Sequence, residues 1–169
     1  DSDALHETHA AICADGGTAE MITCDLGDAD AVAALPGRIA DTAGPLDILV
    51  LNASAQSYQT LEDFTPDELA RQYSVNLQAS FLLIRETLGH MKDQSWGRIL
   101  SIGSVNQWKP SPRLPIYASS KQAQVNLIRN VAKQYAPWGI TANNLAPGVI
   151  LTDRNRDALA DAEYREQIL

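Results

Sequence analysis

The sequence predicts an α/β protein with a doubly wound, mostly parallel sheet between two helical layers. Short apolar runs alternate with amphipathic segments of helical period along the chain, the signature of successive βαβ units. One of those runs, LDILVL at 46–51, is almost uninterrupted, as suits a parallel strand covered on both faces. The polar positions Asp25, Asn52, Ser104 and Pro147-Gly148 each follow directly on an apolar run. Open α/β sheets bind their ligands at those carboxyl ends.

Taken in order, residues 3–14 fit the end of a surface helix, stopped by Asp15-Gly16-Gly17. His6, His9 and Cys13 share one face of it, but no fourth ligand is evident. A solvated helix face is therefore preferred to a metal site, and no metal is expected. AEMITC at 19–24 is expected to be a strand, and 28–42 a helix that kinks or breaks at Pro36. After Gly44-Pro45 comes the 46–51 strand. Thr65, Pro66 and Glu68 have the spacing of a helix start with a capping box. From there Leu69, Tyr73, Asn76, Ser80/Phe81, Ile84 and Leu88 recur at three- or four-residue steps, an inward stripe that carries one buried amide. RILSIG at 98–103 is the next strand, 116–136 the next helix, and ITANNLAPG at 140–148 the last strand with its exit turn. The apolar residues of the 116–136 helix spread over more than one face, which predicts a contact with another copy of the chain. A charged helical tail is expected at 153–169.

Composition narrows the function. Hydrophobic residues make up 45% and charged residues 20%, the balance of a folded domain. No repeat or linker divides the chain, so residues 1–169 are expected to form a single domain. A net charge of −8 argues against nucleic acid and anionic membrane surfaces as partners. No apolar run approaches the roughly 18–20 residues of a membrane span. Two cysteines make no disulfide framework, and a cytoplasmic setting is expected.

The stretch from Gly97 to Lys121 carries the chemistry. Tyr117 and Lys121 are neighbours at i and i+4 on a helix, and Ser104 lies just past a strand tip. A phenol, an ammonium and a hydroxyl brought together this way can move a proton on and off a carbonyl oxygen. A serine-hydrolase reading of Ser104 or Ser119 with Lys121 lacks the G-x-S-x-G elbow.

Five ordered segments then coincide with one family. Leu51-Asn52-Ala53-Ser54 is similar to its Asn-Asn-Ala-Gly turn, with Leu51 and Ser54 as departures. Ser74-Val75-Asn76-Leu77 is similar to its mid-helix Val-Asn segment. Ser104 stands thirteen residues before Tyr117, and Tyr117-Ala118-Ser119-Ser120-Lys121 is its active-site signature. Asn143 to Gly148 with Thr152 corresponds to its nicotinamide-side strand exit. The chain thus resembles a single-domain short-chain dehydrogenase/reductase with a Rossmann-like three-layer fold.

The resemblance implies an NAD- or NADP-dependent oxidoreductase that interconverts a secondary alcohol and a ketone. Tyr117 would be the general acid/base, Ser104 would stabilise the substrate oxygen, and Lys121 would favour ionisation of Tyr117 and bind the nicotinamide ribose. Asn76 would bend its helix and hold a water that relays protons to Lys121. Asp25 and Leu26 would meet the adenine, and Asn52 and Ala53 the adenosine ribose. Pro147, Gly148, Ile150 and Thr152 would hold the nicotinamide carboxamide. Asn106 and Gln107, with Ser104 and Tyr117, are expected on the substrate side, and a small polar substrate (a sugar, polyol or hydroxy acid) is preferred. The alternatives are a 3-oxoacyl-thioester (acyl carrier protein) reductase and, in another class, a catalytically silent dinucleotide-binding regulatory or scaffold protein. A homo-oligomer, tetramer or dimer, is implied. The family's Gly-rich phosphate turn is not in this sequence, so the 169 residues are expected to be part of a longer chain, with the fold incomplete. In the family's strand order that leaves AEMITC without a neighbour.

Overall fold

The computed structural model describes residues 2–152 and residue 160. Except for Ala160, the expected tail helix at 153–169 lies outside the described residues. Helix α1 (Ser2–Ala14) leads into irregular backbone, and α2 (Ala29–Ala43) follows. Asp28 starts α2 by accepting the Asp30 and Ala31 N–H groups at 3.0 and 3.1 Å, a side-chain cap for donors that have no intrahelical partner. Three strands follow, β1 (Ile48–Leu51), β2 (Gly97–Ile102) and β3 (Ile140–Leu145), parallel and in the order β1-β2-β3. A helix crosses between each pair. The first runs as α3 (Pro66–Tyr73), a π-turn (Ser74–Gln78) and α4 (Ala79–Asp93); the second is α5 (Pro115–Tyr135). This is the predicted α/β class, a parallel sheet flanked by helices.

Register sets the core. Leu49, Ile99 and Ala142 lie opposite one another across the three strands. With Ile84, Leu88 and Met91 of α4 and Ile128 and Val131 of α5 they form one buried cluster. Each fully buried side chain of this kind contributes roughly 1.5–3 kcal/mol. Val32, Ala79 and Leu82 form a second cluster that fastens α2 to α4. Gly139, at φ 66, turns the chain from the end of α5 into β3, a left-handed conformation that favours glycine.

Four expectations need correction. Residues 19–24 form no strand, because no strand beside them among the described residues offers a hydrogen-bonding ladder. Helix α2 continues through Pro36, which is buried on its inward side with Val32. Burial of the ring offsets the one backbone bond that proline removes. The 46–51 run is not covered on both faces: Leu49 and Leu51 are buried, but Ile48 and Val50 are 56% and 53% exposed. Alternation sends these pairs to opposite sides, and α4 and α5 pack against the inner one. Finally, the inward stripe loses Leu69 and Phe81, which are 40% and 45% exposed, while Gln72 and Ala79 are buried. The wider π-turn shifts the phase of α3 relative to α4, so Leu69 turns outward and Gln72 inward; beyond it the stripe runs through Ser80 and not Phe81, with Ile84 and Leu88 buried as expected.

Candidate active site

The carboxyl ends of the three strands converge, and backbone bonds join them. Gly103 N–H donates to the Leu145 carbonyl at 2.7 Å, and Val105 N–H donates to the Pro147 carbonyl at 2.9 Å. Parallel pairing therefore continues past β2 and β3 and sets the Ser104 loop beside Pro147-Gly148. Ser104 begins a short 3₁₀ turn. Its Oγ accepts from Asn106 N–H at 3.2 Å, and its own N–H donates to Gln107 Oε1 at 3.4 Å. A Cβ added at Gly103 would displace the ends of the Gln107 and Asn144 side chains, which pack against this glycine.

Pro115 opens α5 and places Tyr117 in its first turn. Tyr117 is 7% exposed and Lys121 1%. The Lys121 Nζ lies 5.9 Å from the Tyr117 ring centroid. It donates to the Ile102 carbonyl at 2.8 Å and to Gln124 Oε1 at 3.2 Å. Lys121 is thus fastened to the end of β2 immediately before Gly103-Ser104.

Asn76 sits in the π-turn, fully buried. Its Oδ1 accepts from Ala55 N–H at 2.7 Å; its Nδ2 donates to the Ala55 carbonyl and to Ser120 Oγ, both at 2.9 Å. Ser120 Oγ in turn donates to the Tyr117 carbonyl at 2.8 Å. The expected helix distortion at Asn76 is present as the π-turn. Its amide, however, is spent on joining the β1 exit loop to α5.

The other predicted positions divide. Asp25 is exposed and closes a turn by accepting Gly27 N–H at 2.8 Å, and Leu26 packs on the Val32 cluster. Asn52, Ala53, Gly148, Ile150 and Thr152 form an exposed rim at the strand ends, with Pro147 half-buried. Asn106 is half-buried beside Ser104. Gln107 is buried, with its Oε1 turned to the Ser104 and Asn144 amide donors. It therefore braces the Ser104 loop from behind.

The sequence reading placed Ser80 on the inward stripe and Ser120 in the signature without giving either a role, and it did not single out Gln124 or the carboxylate of Glu68. Thr65 accepts Glu68 N–H at 3.2 Å as its spacing predicts. The Glu68 carboxylate instead takes Arg71 Nε and Nη2, both at 2.8 Å, Gln72 Nε2 at 3.0 Å, and Ser57 Oγ. The Arg71 guanidinium first, then Ser57 and Gln72, hold its carboxyl down to about 2. This cluster pins the loop after β1 onto α3. Uncharged polar residues at consecutive inward positions of α5, such as Ser120 and Gln124, were the available signal for the buried network.

The comparisons agree with the fold. Residues 1–163 match the short chain dehydrogenase family. D-beta-hydroxybutyrate dehydrogenase of Rhizobium meliloti (strain 1021) is 35% identical over 136 residues, which are 80% of this chain and 53% of the relative. The structure of a 3-oxoacyl (acyl-carrier-protein) reductase from Agrobacterium tumefaciens C58 with NADP bound superposes with a TM-score of 0.88 at 41% identity, covering 95% of this chain and 62% of that one. A gluconate 5-dehydrogenase from Burkholderia cenocepacia J2315 in complex with NADP and tartrate gives 0.89 at 29% identity, covering 99% and 66%. The chain spans about half the length of the curated relatives it matches. No helix among the described residues is long and apolar enough to cross a membrane. By its family match and by the signature that α5 carries, the chain belongs to the short-chain dehydrogenase family.

Proposed function

We propose that this protein is an NAD- or NADP-dependent oxidoreductase interconverting a secondary alcohol and a ketone. The observation that carries this reading is the buried Lys121 ammonium 5.9 Å from the ring of Tyr117, fastened to the strand end that leads into Ser104. The residues present suit the two ends of a dinucleotide, though not its phosphates: the strand ends present uncharged amides and hydroxyls, and Gly148 at the β3 exit is exposed with open space beside it. Asp25 and Leu26 would hold the adenine, Asn52 and Ala53 its ribose, Lys121 the nicotinamide ribose, and Pro147, Gly148, Ile150 and Thr152 the carboxamide. The bound nicotinamide supplies a two-electron hydride acceptor or donor.

The protein's own residues handle the proton. Tyr117, itself only 7% exposed, takes the substrate hydroxyl proton in oxidation and returns it in reduction. Ser104 Oγ donates to the substrate oxygen as charge develops there. The Lys121 ammonium, held by the Ile102 carbonyl 5.9 Å from the Tyr117 ring, places a fixed positive charge beside the reacting atoms. Asn106 borders the substrate from the 3₁₀ turn, with Gln107 behind it. A sugar, polyol or hydroxy acid is the preferred substrate, supported by the names of the hydroxybutyrate and gluconate relatives. A 3-oxoacyl-thioester reductase is the second reading, favoured by the 41% identity to one such enzyme. Asn76, Ser104, Tyr117 and Lys121 are all retained, which weighs against a catalytically silent scaffold.

Self-association belongs to the same reading. Tyr73, Leu77 and Phe81 with Ala123 and Leu127 line a surface groove of about 730 Å³ along the α3–α4 and α5 helices. A second copy of the chain is its proposed occupant, in a dimer or tetramer, and the cytoplasm its proposed setting.

The test is Tyr117→Phe in the full chain, assayed with both cofactors on a panel of polyols, hydroxy acids and 3-oxoacyl thioesters. Turnover should fall by about 10³-fold or more with cofactor binding within a few-fold of the parent. Unchanged turnover refutes the role of Tyr117.

A further inference from the structure

Gln124 stands where an apolar side chain is expected. It is fully buried on the inward side of α5, in line with Val125, Ile128 and Val131. Burying an amide is costly unless both of its ends are bonded, and here both are. Its Oε1 accepts from Lys121 Nζ at 3.2 Å, and its Nε2 donates to Ser80 Oγ at 2.7 Å. Ser80, also buried, donates to the Asn76 carbonyl at 3.0 Å. Every donor in this chain points the same way, from the ammonium through the amide and the hydroxyl to the π-turn carbonyl. Such one-directional chains reinforce each member. The order also fixes the amide: turned over, Gln124 would set its NH₂ against the ammonium, donor against donor.

We propose that Gln124 is a positioning residue for Lys121, with Ser80 as its anchor. The proposal rests on the reading above in which Lys121 serves Tyr117. A lysine side chain has four rotatable carbons and a point charge with no preferred direction. The Ile102 carbonyl holds the ammonium from the sheet, and Gln124 Oε1, itself held by α4 through Ser80, holds it from a second direction. The sheet and α5 thereby acquire a direct connection to the π-turn, so the same segment that holds Asn76 also sets Lys121.

The experiment uses the complete protein, with Gln124→Leu, Gln124→Glu and Ser80→Ala as variants. The first readout is the Lys121 side-chain NH₃⁺ signal in ¹⁵N-lysine NMR, identified by its loss in Lys121→Met. A buried and hydrogen-bonded ammonium exchanges slowly enough to be seen. The second readout is the separation of kcat from KM. Gln124→Leu should shift or broaden the Lys121 signal and lower kcat by about tenfold, with the cofactor KM within about threefold. Gln124→Glu, which keeps an oxygen facing Nζ, should recover the signal and most of kcat. Ser80→Ala should give an intermediate loss, and it decides the matter if Gln124→Leu does not fold. A Lys121 signal and a kcat unmoved in these variants, even with a lower melting temperature, overturn the proposal and leave Gln124 a packing residue. A parent protein without nicotinamide-linked turnover removes the enzymatic reading instead, and the NMR signal then still decides whether Gln124 positions Lys121.

Discussion

Asn76, Ser80, Ser120, Lys121 and Gln124 occupy the junction of the π-turn with α5, nearly or wholly buried, whereas Asn52, Ala53, Gly148, Ile150 and Thr152 form an exposed rim at the strand ends. Each side chain of the junction is bonded to at least one other member. The rim is set by main-chain pairing between strand exits, such as Val105 N–H with the Pro147 carbonyl. The contrast separates two jobs. In the proposed reaction, proton transfer would depend on side chains held to a fraction of an ångström, and the junction is a buried, mutually bonded network. Binding a long flexible cofactor would call for an open edge, and the exposed strand exits would supply it. Substitutions in the junction should therefore lower stability and turnover together, and those on the rim should affect binding alone.

The most severe break should come from Asn76→Ala. It removes three hydrogen bonds and leaves the buried Ala55 N–H and carbonyl without them. Each orphaned group costs roughly 1–3 kcal/mol, so a loss of about 3 kcal/mol is expected in denaturant unfolding. Ser120→Ala deletes one hydroxyl shared by Asn76 and Tyr117 and should cost about 1 kcal/mol in the same measurement. A loss from Asn76→Ala no larger than that from Ser120→Ala would mean that the junction is not one unit.

These same residues mark how far the sequence could be read. The order of strands and helices, the Tyr117–Lys121 pair, and the positions of Ser104 and Asn76 were legible because spacing and period are local properties. The consequences of the π-turn were not. A buried amide on an inward stripe announced Asn76, but the phase shift that turns Leu69 outward and Gln72 inward arises from the wider turn itself. Strand formation at 19–24 fails for the opposite reason: its residues suit a strand, but a strand also needs a neighbour, and the family's strand order, not the local pattern, is what showed that neighbour to be missing. Gln124 and Glu68 escaped notice because the sequence does not say which buried polar groups will face them.

Glu68 lies between the two regions and tests where the boundary falls. It ties the loop after β1 to α3 through Ser57 and Arg71, and its carboxyl is held at about 2 against an ordinary 4.5. A carboxylate depressed in the folded state adds stability above its unfolded value, and that stability is lost as pH falls through the folded one. The contribution is therefore full at neutral pH and fades between about 4.5 and 2. Glu68→Gln should be less stable than the parent at pH 7, and acid titration of unfolding should bring the two curves together toward pH 2. A constant gap across that range would assign the effect to lost packing. Because this clamp sits behind the rim, turnover near neutral pH should change much less than in the junction variants.

The smallest expected effect tests the rim itself. Thr152 is exposed, at the edge of the described residues, and Gly148 at the same strand exit has open space beside it. Surface substitutions away from caps and buried networks stay within about 0.5 kcal/mol, so Thr152→Ala should unfold with the parent. If the exit holds the nicotinamide carboxamide as proposed, one lost hydrogen bond should raise the cofactor KM by about three- to tenfold while kcat is nearly kept. That split follows from the division of labour, since a group that binds ground and transition states equally changes KM alone. If Thr152→Ala lowers kcat as strongly as KM rises, the rim takes part in orienting the reacting atoms, and the line between a fixed proton-handling junction and an open binding edge has to be redrawn on the β2 side of the β3 exit.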